Sequence, residues 1–398
     1  MTENTEVVVI GGGYAGVMAA NRLTQRDDVT VTLINPRPAF VPRLRLHQLV
    51  GGSHDAVVDY RAVLADGVRL VVDTVTRIDA AGRRVEPASG GTVGYDYLIY
   101  AAGSGNAAPR VPGAAEFAHP MATLETARRL RSVLDATPAT TPVTVVGGGP
   151  TGIETAAELA EQGRPVTLVC GGDLGPYLHP LARRTASRRL AGLGLTVLQG
   201  PGTKVTAVTR DAVHLGDGRE LPSGLTVWTV GFGVPDLAAR SGLSTDTVGR
   251  VLTDETLTSV DDERIVAAGD SAAPSDLPFR MSAYAAGCLG AHAADTVLAR
   301  IAGVRPAPVD LSFPAMCVSL GRRAGVFQFA HKDDTAMRLY VGGRAGAKLK
   351  ELSCNFSVKH LTTEARKPGA HTWPKGEHRR ELLRGERGEA SATVERAV

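Results

Sequence analysis

The chain of 398 residues holds only four cysteines, and no two are close in sequence. Cys170, Cys288, Cys317 and Cys354 form no C-x-x-C and no metal-ligand spacing. That excludes a closely spaced redox disulfide, and no resident metal is expected. A reducing cytoplasm is the expected compartment. Long apolar runs are also missing, so no segment is expected to span a bilayer. No signal peptide is expected, because the N-terminal apolar run reads as a first strand and the residues before it lack a basic region. Net charge is +3, too small to imply a nucleic-acid partner. No catalytic triad or ligand cluster stands out.

What the chain does have is a glycine-rich phosphate cradle, twice. Val7-Val8-Val9-Ile10 runs into Gly11-Gly12-Gly13-Tyr14-Ala15-Gly16, and Val143-Thr144-Val145-Val146 runs into Gly147-Gly148-Gly149-Pro150-Thr151-Gly152. Each is a strand-type run, then G-x-G-x-x-G, then an alanine-rich helical segment (17–23 and 153–161). The glycines serve a tight turn, close backbone approach to a pyrophosphate, and close helix–strand packing. The helix N-terminus adds free N–H groups and the positive end of a dipole. Two such units predict two dinucleotides on one polypeptide. At this length two to three domains are expected, and 43% hydrophobic residues suffice for their cores.

Each cradle opens a β-α-β unit. The acid that usually grips an adenosine ribose belongs at the end of the second strand. In the first unit that strand is 29–34, and Asn35 stands at its end, an amide that can still accept from a hydroxyl. In the second unit the strand 165–169 ends at Cys170-Gly171-Gly172, and Asp173 comes a few positions late. Arg183, Arg184, Arg188 and Arg189 follow on a predicted helix. A missing acid with arginines nearby permits a 2′-phosphate; solvated helix arginines are the alternative.

Two further segments suit a split nucleotide domain. Tyr95 to Ser104 reads as an apolar strand closing on the small residues Ala101, Ala102 and Gly103. Arg264 to Ser271 reads as a buried strand ending in Gly269-Asp270, where glycine admits close approach and the carboxylate accepts from sugar-alcohol hydroxyls. Asp270 alternatively caps the helical run that begins near Ser282.

The order GGGYAG, YDYLIYAAGS, VVGGGPTGIE, VWTVGF, IVAAGD resembles the two-dinucleotide-domain flavoproteins, the pyridine nucleotide–disulfide reductase-like family. Within it the chain is similar to the branch of type II NADH dehydrogenases and apoptosis-inducing-factor-like quinone reductases. The resemblance covers about residues 5 to 365. It implies an α/β fold of two Rossmann-like domains plus a small α+β C-terminal module. The expected boundaries are 1–118 and 244–304 for a split FAD domain, 119–243 for an inserted NAD(P) domain, 305–367 for the module and 368–398 for a charged, disordered tail.

The resemblance also implies FAD on the first cradle, with Gly11, Gly12, Gly13, Tyr14, Ala15 and Gly16 around its pyrophosphate and Asn35 at its ribose. Val75 matches the position whose backbone meets the adenine, Ala102 and Gly103 the strand exit, and Gly269 and Asp270 the ribityl side. Gly147, Gly149 and Gly152 would hold NADH or NADPH. Glu154 matches the family's glutamate near the flavin–nicotinamide contact.

Two departures matter. Where the disulfide reductases carry C-x-x-x-x-C, this chain reads from Phe40 to Gln48 with no cysteine, so disulfide reduction is not expected. Arg43, Arg45 and His47 in that stretch are candidates to cover the FAD phosphates, surface arginines being the alternative. Where type II NADH dehydrogenases show A-Q-x-x-x-Q, Tyr284 and Cys288 stand, closer to the apoptosis-inducing-factor-like enzymes.

The module 305–367 carries eleven Lys/Arg against five Asp/Glu. With Leu349, Leu352, Phe356 and Val358 beside the charges, it suits anionic lipid at the inner face of the membrane, or a homodimer or domain interface.

The expected reaction is hydride transfer from NAD(P)H to FAD and onward to a quinone-type acceptor. Glu154 would tune the nicotinamide side and Tyr284 border the acceptor side; each has a purely structural alternative. A soluble reductase feeding an iron–sulfur carrier, and a low-turnover flavin redox sensor, are the other readings.

Overall fold

The computed structural model describes residues 4–376 and 378–384. Along the chain, β1 (Thr5–Ile10), α1 (Tyr14–Leu23) and β2 (Val29–Asn35) form the first β-α-β unit. A short α2 (Leu46–Val50), β3 (Val68–Val72), β4 (Tyr97–Tyr100) and β5 (Ala118–Pro120) follow. The second unit is β6 (Val143–Val146), α3 (Pro150–Glu161) and β7 (Val166–Val169), then α4 (Pro180–Gly192), β8 (Thr196–Leu198) and β9 (Leu225–Trp228). The chain continues through β10 (Ile265–Ala267) and α5 (Ala283–Ile301) to β11 (Ala315–Ser319), β12 (Gly325–Ala330), β13 (Ala336–Gly342) and α6 (Gly343–Arg366).

Two five-stranded parallel sheets carry the architecture. Their orders are β10-β4-β1-β2-β3 and β5-β9-β6-β7-β8. In both, the cradle strand is central and the second strand of its unit lies beside it, paired Val7↔Val31 in one sheet and Val145↔Leu168 in the other. The repeat seen in sequence is thus a repeat of topology. The first sheet takes β10 from beyond the whole second sheet. The two central strands, β1 and β6, are buried on both faces, as their near-continuous valine runs require.

The third layer is an antiparallel sheet, β11-β12-β13, with α6 against it. Gly346 makes that packing close: a Cβ there would run into the Gly325 carbonyl. Buried positions on α6 fall at Gly346, Lys350, Cys354 and Leu361, one face at helical spacing. A lysine on that face needs a partner inside the protein.

The segment expected to be a tail from 368 is packed where it is described. Trp373 donates to the Asp310 carbonyl at 2.9 Å, and Gly376 N–H to the Asp310 carboxylate at 2.7 Å. Glu364, fully buried at the end of α6, accepts from Gly369 and His371 N–H at 2.7 Å each and pairs with Arg22 at 3.2 Å. Arg379 then grips Glu255 with two bonds of 2.6 and 2.8 Å. Polarity misled the sequence reading, because these charges have specific partners across the first sheet's domain. The rest of the expected tail, 385–398, lies outside the described residues.

Candidate active site

Both cradles have the same steric plan. A Cβ on Gly16 would strike the Gly11 carbonyl, and one on Gly152 the Gly147 carbonyl, so each third glycine exists for helix–strand contact. Gly11 and Gly147 also hold φ of +99° and +127°, the turn that sends the chain from strand into helix. At Gly13 and Gly149 a Cβ would meet nothing within 4 Å. That open space lies at the N-termini of α1 and α3, where a pyrophosphate would rest. The residues present therefore fit a dinucleotide at each cradle.

Around the first cradle, Asn35 is committed locally. Its side-chain oxygen accepts from Gly12 N–H at 2.9 Å and its amide donates to the Arg37 carbonyl at 2.8 Å. Tyr60, which sequence reasoning did not single out, donates to the Gly12 carbonyl at 2.7 Å. Tyr14 and Ala15 are buried, Tyr14 edge-on to Phe40 with its hydroxyl 3.2 Å from Ser357 Oγ. Burial pushes the Tyr14 phenol up, keeping it neutral. Val75 begins a strand paired with Pro87 and is buried.

Gly103, at φ +69°, and Gly269, at φ +70°, come together at the ends of β4 and β10, where the Gly103 N–H donates to Ser271 Oγ at 3.3 Å. Beside them Asp270 accepts from Ser104 at 2.7 Å, and Arg43 donates to the same Ser104 at 3.0 Å. Ser282, not Asp270, caps α5, accepting from Ala285 N–H at 3.1 Å. Asp270 is thereby available to the site. Ala102 adjoins this corner.

His47 and Arg45 do not cover the first cradle. Arg45 is buried and bonds Gln48, Glu351 and Asn355, each at 2.7 Å. His47 Nδ1 lies 3.4 Å from Glu154 and its Nε2 3.4 Å from Ser319 Oγ. The turn of α2 aims His47 toward α3 rather than α1.

That contact belongs to a buried charged cluster. Glu154, in the first turns of α3 and 5% exposed, receives Lys350 Nζ at 2.8 Å and Ser319 N–H at 3.0 Å. Burial alone raises the Glu154 carboxyl, but Lys350 and His47 outweigh it and hold it below the usual range. Burial opposes the Lys350 charge, and Glu154 restores it, leaving the ammonium firmly protonated. His47 is pushed down to about 4, by burial first and against the pull of Glu154, so it is neutral at pH 7. The result is a carboxylate–ammonium pair with a neutral imidazole beside it.

Lys350 is one of the eleven basic residues counted toward the basic face of the C-terminal module, and its burial removes it from that face. The signal was present: it sits four residues from both Gly346 and Cys354 on the buried face of α6. One turn beyond Glu154, Glu158 is buried with Oε1 unbonded and Arg322 at 3.6 Å. Desolvation pushes it up to about 7 against the pull of Arg322. Tyr284, at the start of α5, donates to the Ser312 carbonyl at 3.1 Å and lies 5.9 Å from the Phe313 ring. It is apart from the Glu154 cluster in its bonding, on the face toward the C-terminal layer.

Among the described residues, no helix is long and apolar enough to cross a membrane. The family model for pyridine nucleotide-disulphide oxidoreductase matches residues 5–288. An NADH dehydrogenase-like protein of Mycobacterium tuberculosis is 33% identical over 296 residues, covering 68% of this chain and 73% of that protein. The type II NADH:quinone oxidoreductase of the same organism is 30% identical over 369 residues, 81% of this chain and 78% of its own. NDH2 from Plasmodium falciparum, solved in complex with NADH, matches with a TM-score of 0.75 at 16% identity over 92% of this chain and 99% of that one, a likeness of fold.

Proposed function

The chain belongs to the pyridine nucleotide-disulphide oxidoreductase family, and from that premise we propose that it passes electrons from a nicotinamide dinucleotide to a membrane quinone. It is an FAD-dependent NADH oxidoreductase. The quinone, the lipid contact and the residue roles below are our reading.

FAD, held at the first cradle, would supply the hydride acceptor and the onward electron carrier. Gly13 leaves room for its pyrophosphate, and Asp270, steadied by Ser104, would accept from its sugar-alcohol hydroxyls. Gly149 leaves the corresponding room for the nicotinamide dinucleotide. Glu154, fixed by Lys350 and Ser319, would orient the nicotinamide end, since it rises from the helix that the second cradle opens. Lys350 keeps that carboxylate charged without water. His47, neutral, can accept or donate at Nε2 toward Ser319 without adding charge.

One observation carries the acceptor proposal. The helix that places Lys350 inside exposes Leu352 (47%) and Phe356 (40%) outside, with Lys348 and Lys359 exposed on the same stripe. Apolar residues flanked by lysines suit an anionic lipid surface, from which a long-chain quinone would enter. The relatives named as quinone oxidoreductases support the same acceptor.

The test compares a long-chain quinone with a short, water-soluble one. Anionic vesicles should raise the first rate severalfold, salt should reverse the gain, and the second should hardly respond. Replacing Lys348 and Lys359 with glutamate should remove only the vesicle-dependent part. Vesicle-independent rates together with fast reduction of an iron–sulfur carrier would instead assign this face to a protein partner.

A further inference from the structure

The choice between the two nicotinamide nucleotides can be read from the second cradle, on the reading that it holds the dinucleotide. The cradles correspond at the end of the second strand. A Cβ on Gly12 would lie 2.9 Å from Asn35 Cγ, and one on Gly148 would lie 2.9 Å from Cys170 Cβ. Cys170 therefore occupies the place of Asn35, the strand end beside the cradle where an adenosine ribose is read. A carboxylate at such a place accepts from both ribose hydroxyls and repels a 2′-phosphate. Cys170 does neither: burial pushes its thiol up to about 12, so it carries no charge.

The next two residues are glycines, which leaves two charged groups at this corner, an acid–arginine pair and a lysine. Asp173 is the first, and its carboxylate is held by Arg183 Nη1 at 2.7 Å. Acid and arginine thus cancel, and two of the four arginines open to a phosphate are engaged, Arg183 here and Arg189 with Glu161 at 2.9 Å. Lys204 is the second. Its Cα and Cγ each lie 3.8 Å from where a Cβ on Gly171 would stand, so its stem runs along the glycine turn. Its neighbour Thr203 fixes that turn, accepting the Gly171 N–H at 3.1 Å. Lys204 itself is exposed, and among the described residues the lysine held in an ion pair is Lys350.

We propose that Lys204 receives the 2′-phosphate of NADPH, so that this oxidoreductase accepts both nucleotides. The corner presents one uncompensated positive charge and no uncompensated negative one. It attracts the phosphate as a point charge and needs no bidentate geometry.

The test uses the FAD-loaded protein and two readouts. Calorimetric titration with adenosine 2′,5′-bisphosphate and with 5′-AMP reports the corner without turnover. Lys204→Ala should weaken the bisphosphate about tenfold relative to 5′-AMP, and lower the NADPH-over-NADH ratio of kcat/KM by about the same factor. Lys204→Arg should retain both. A ratio unchanged in Lys204→Ala overturns the assignment. A wild type that binds neither adenosine nucleotide, or whose flavin neither NADH nor NADPH reduces, instead removes the reading of the second cradle and this inference with it.

Discussion

Lys350 Nζ sits 2.8 Å from Glu154 Oε1, and this one pair ties the last long helix to the helix beneath the second cradle. Both side chains are about 5% exposed. Neither charge has water to fall back on, so each depends on the other. The pair also fixes where the C-terminal layer sits relative to the nucleotide site.

Removing one partner should cost more than removing both. Lys350→Met strands a buried carboxylate and should destabilise the protein by about 3 kcal/mol. Adding Glu154→Gln should recover a good part of that loss, because no charge is then left unpaired. Denaturant unfolding of the two single variants and the double variant measures the coupling. Simple additivity would mean that the pair is not an energetic unit.

The glycines of the first cradle should separate folding from binding. Gly13→Val adds atoms into open space and should abolish FAD retention while leaving the melting temperature within a few degrees of flavin-free wild type. Gly12→Ala points at Tyr60 and Asn35 and should destabilise the fold itself. Flavin absorbance after gel filtration and a circular-dichroism melt, run on both variants, check the distinction. Full flavin occupancy in Gly13→Val would mean that the cofactor lies elsewhere.

Glu158 should leave a signature in the pH dependence of stability. Its carboxyl is raised from 4.5 to about 7 in the folded protein. Between those values the folded state holds a proton that the unfolded state has released. Its contribution therefore falls as pH rises through this window and is level above it. Relative to wild type, Glu158→Gln should gain stability from pH 4.5 to 7, on the order of 1–2 kcal/mol, and then no more. A difference that is flat across the window would show that Glu158 titrates normally.

The C-terminal segment should matter to the fold. Ending the chain after Pro368 removes Trp373 and Arg379 and deprives buried Glu364 of two N–H donors. We expect a loss of about 2 kcal/mol or more. Trp373→Ala should reproduce part of it. Thermal melts of the shortened and full-length chains decide the point, and equal melting temperatures would make the segment dispensable.

Part of this protein is legible without a structure. Each cradle declares itself over a few residues, because the turn, the close approach and the helix contact are all local steric demands that glycine alone meets. The strands are apolar because both faces are covered, so Val143–Val146 reads correctly at both ends. Asp270 was open to two readings in sequence. The structure removes the cap reading, since Ser282 takes the cap.

The partners of Glu154 are another matter. Sequence marks the glutamate through its distance from the cradle, but His47, Ser319 and Lys350 come from α2, β11 and α6 and carry no common local signal. His47 looked like a phosphate ligand because it follows arginines in the chain; the turn of α2 directs it elsewhere. Lys350 looked like surface charge because lysine usually is. Only the approach of Gly346 to Gly325 brings its row of α6 inward, to a carboxylate that compensates the burial. The sequence by itself determined two dinucleotide cradles and their β-α-β units, since short-range sterics specify them. Which charges meet between those units was decided by tertiary packing, since a buried charge is tolerable only where a partner from a distant segment arrives.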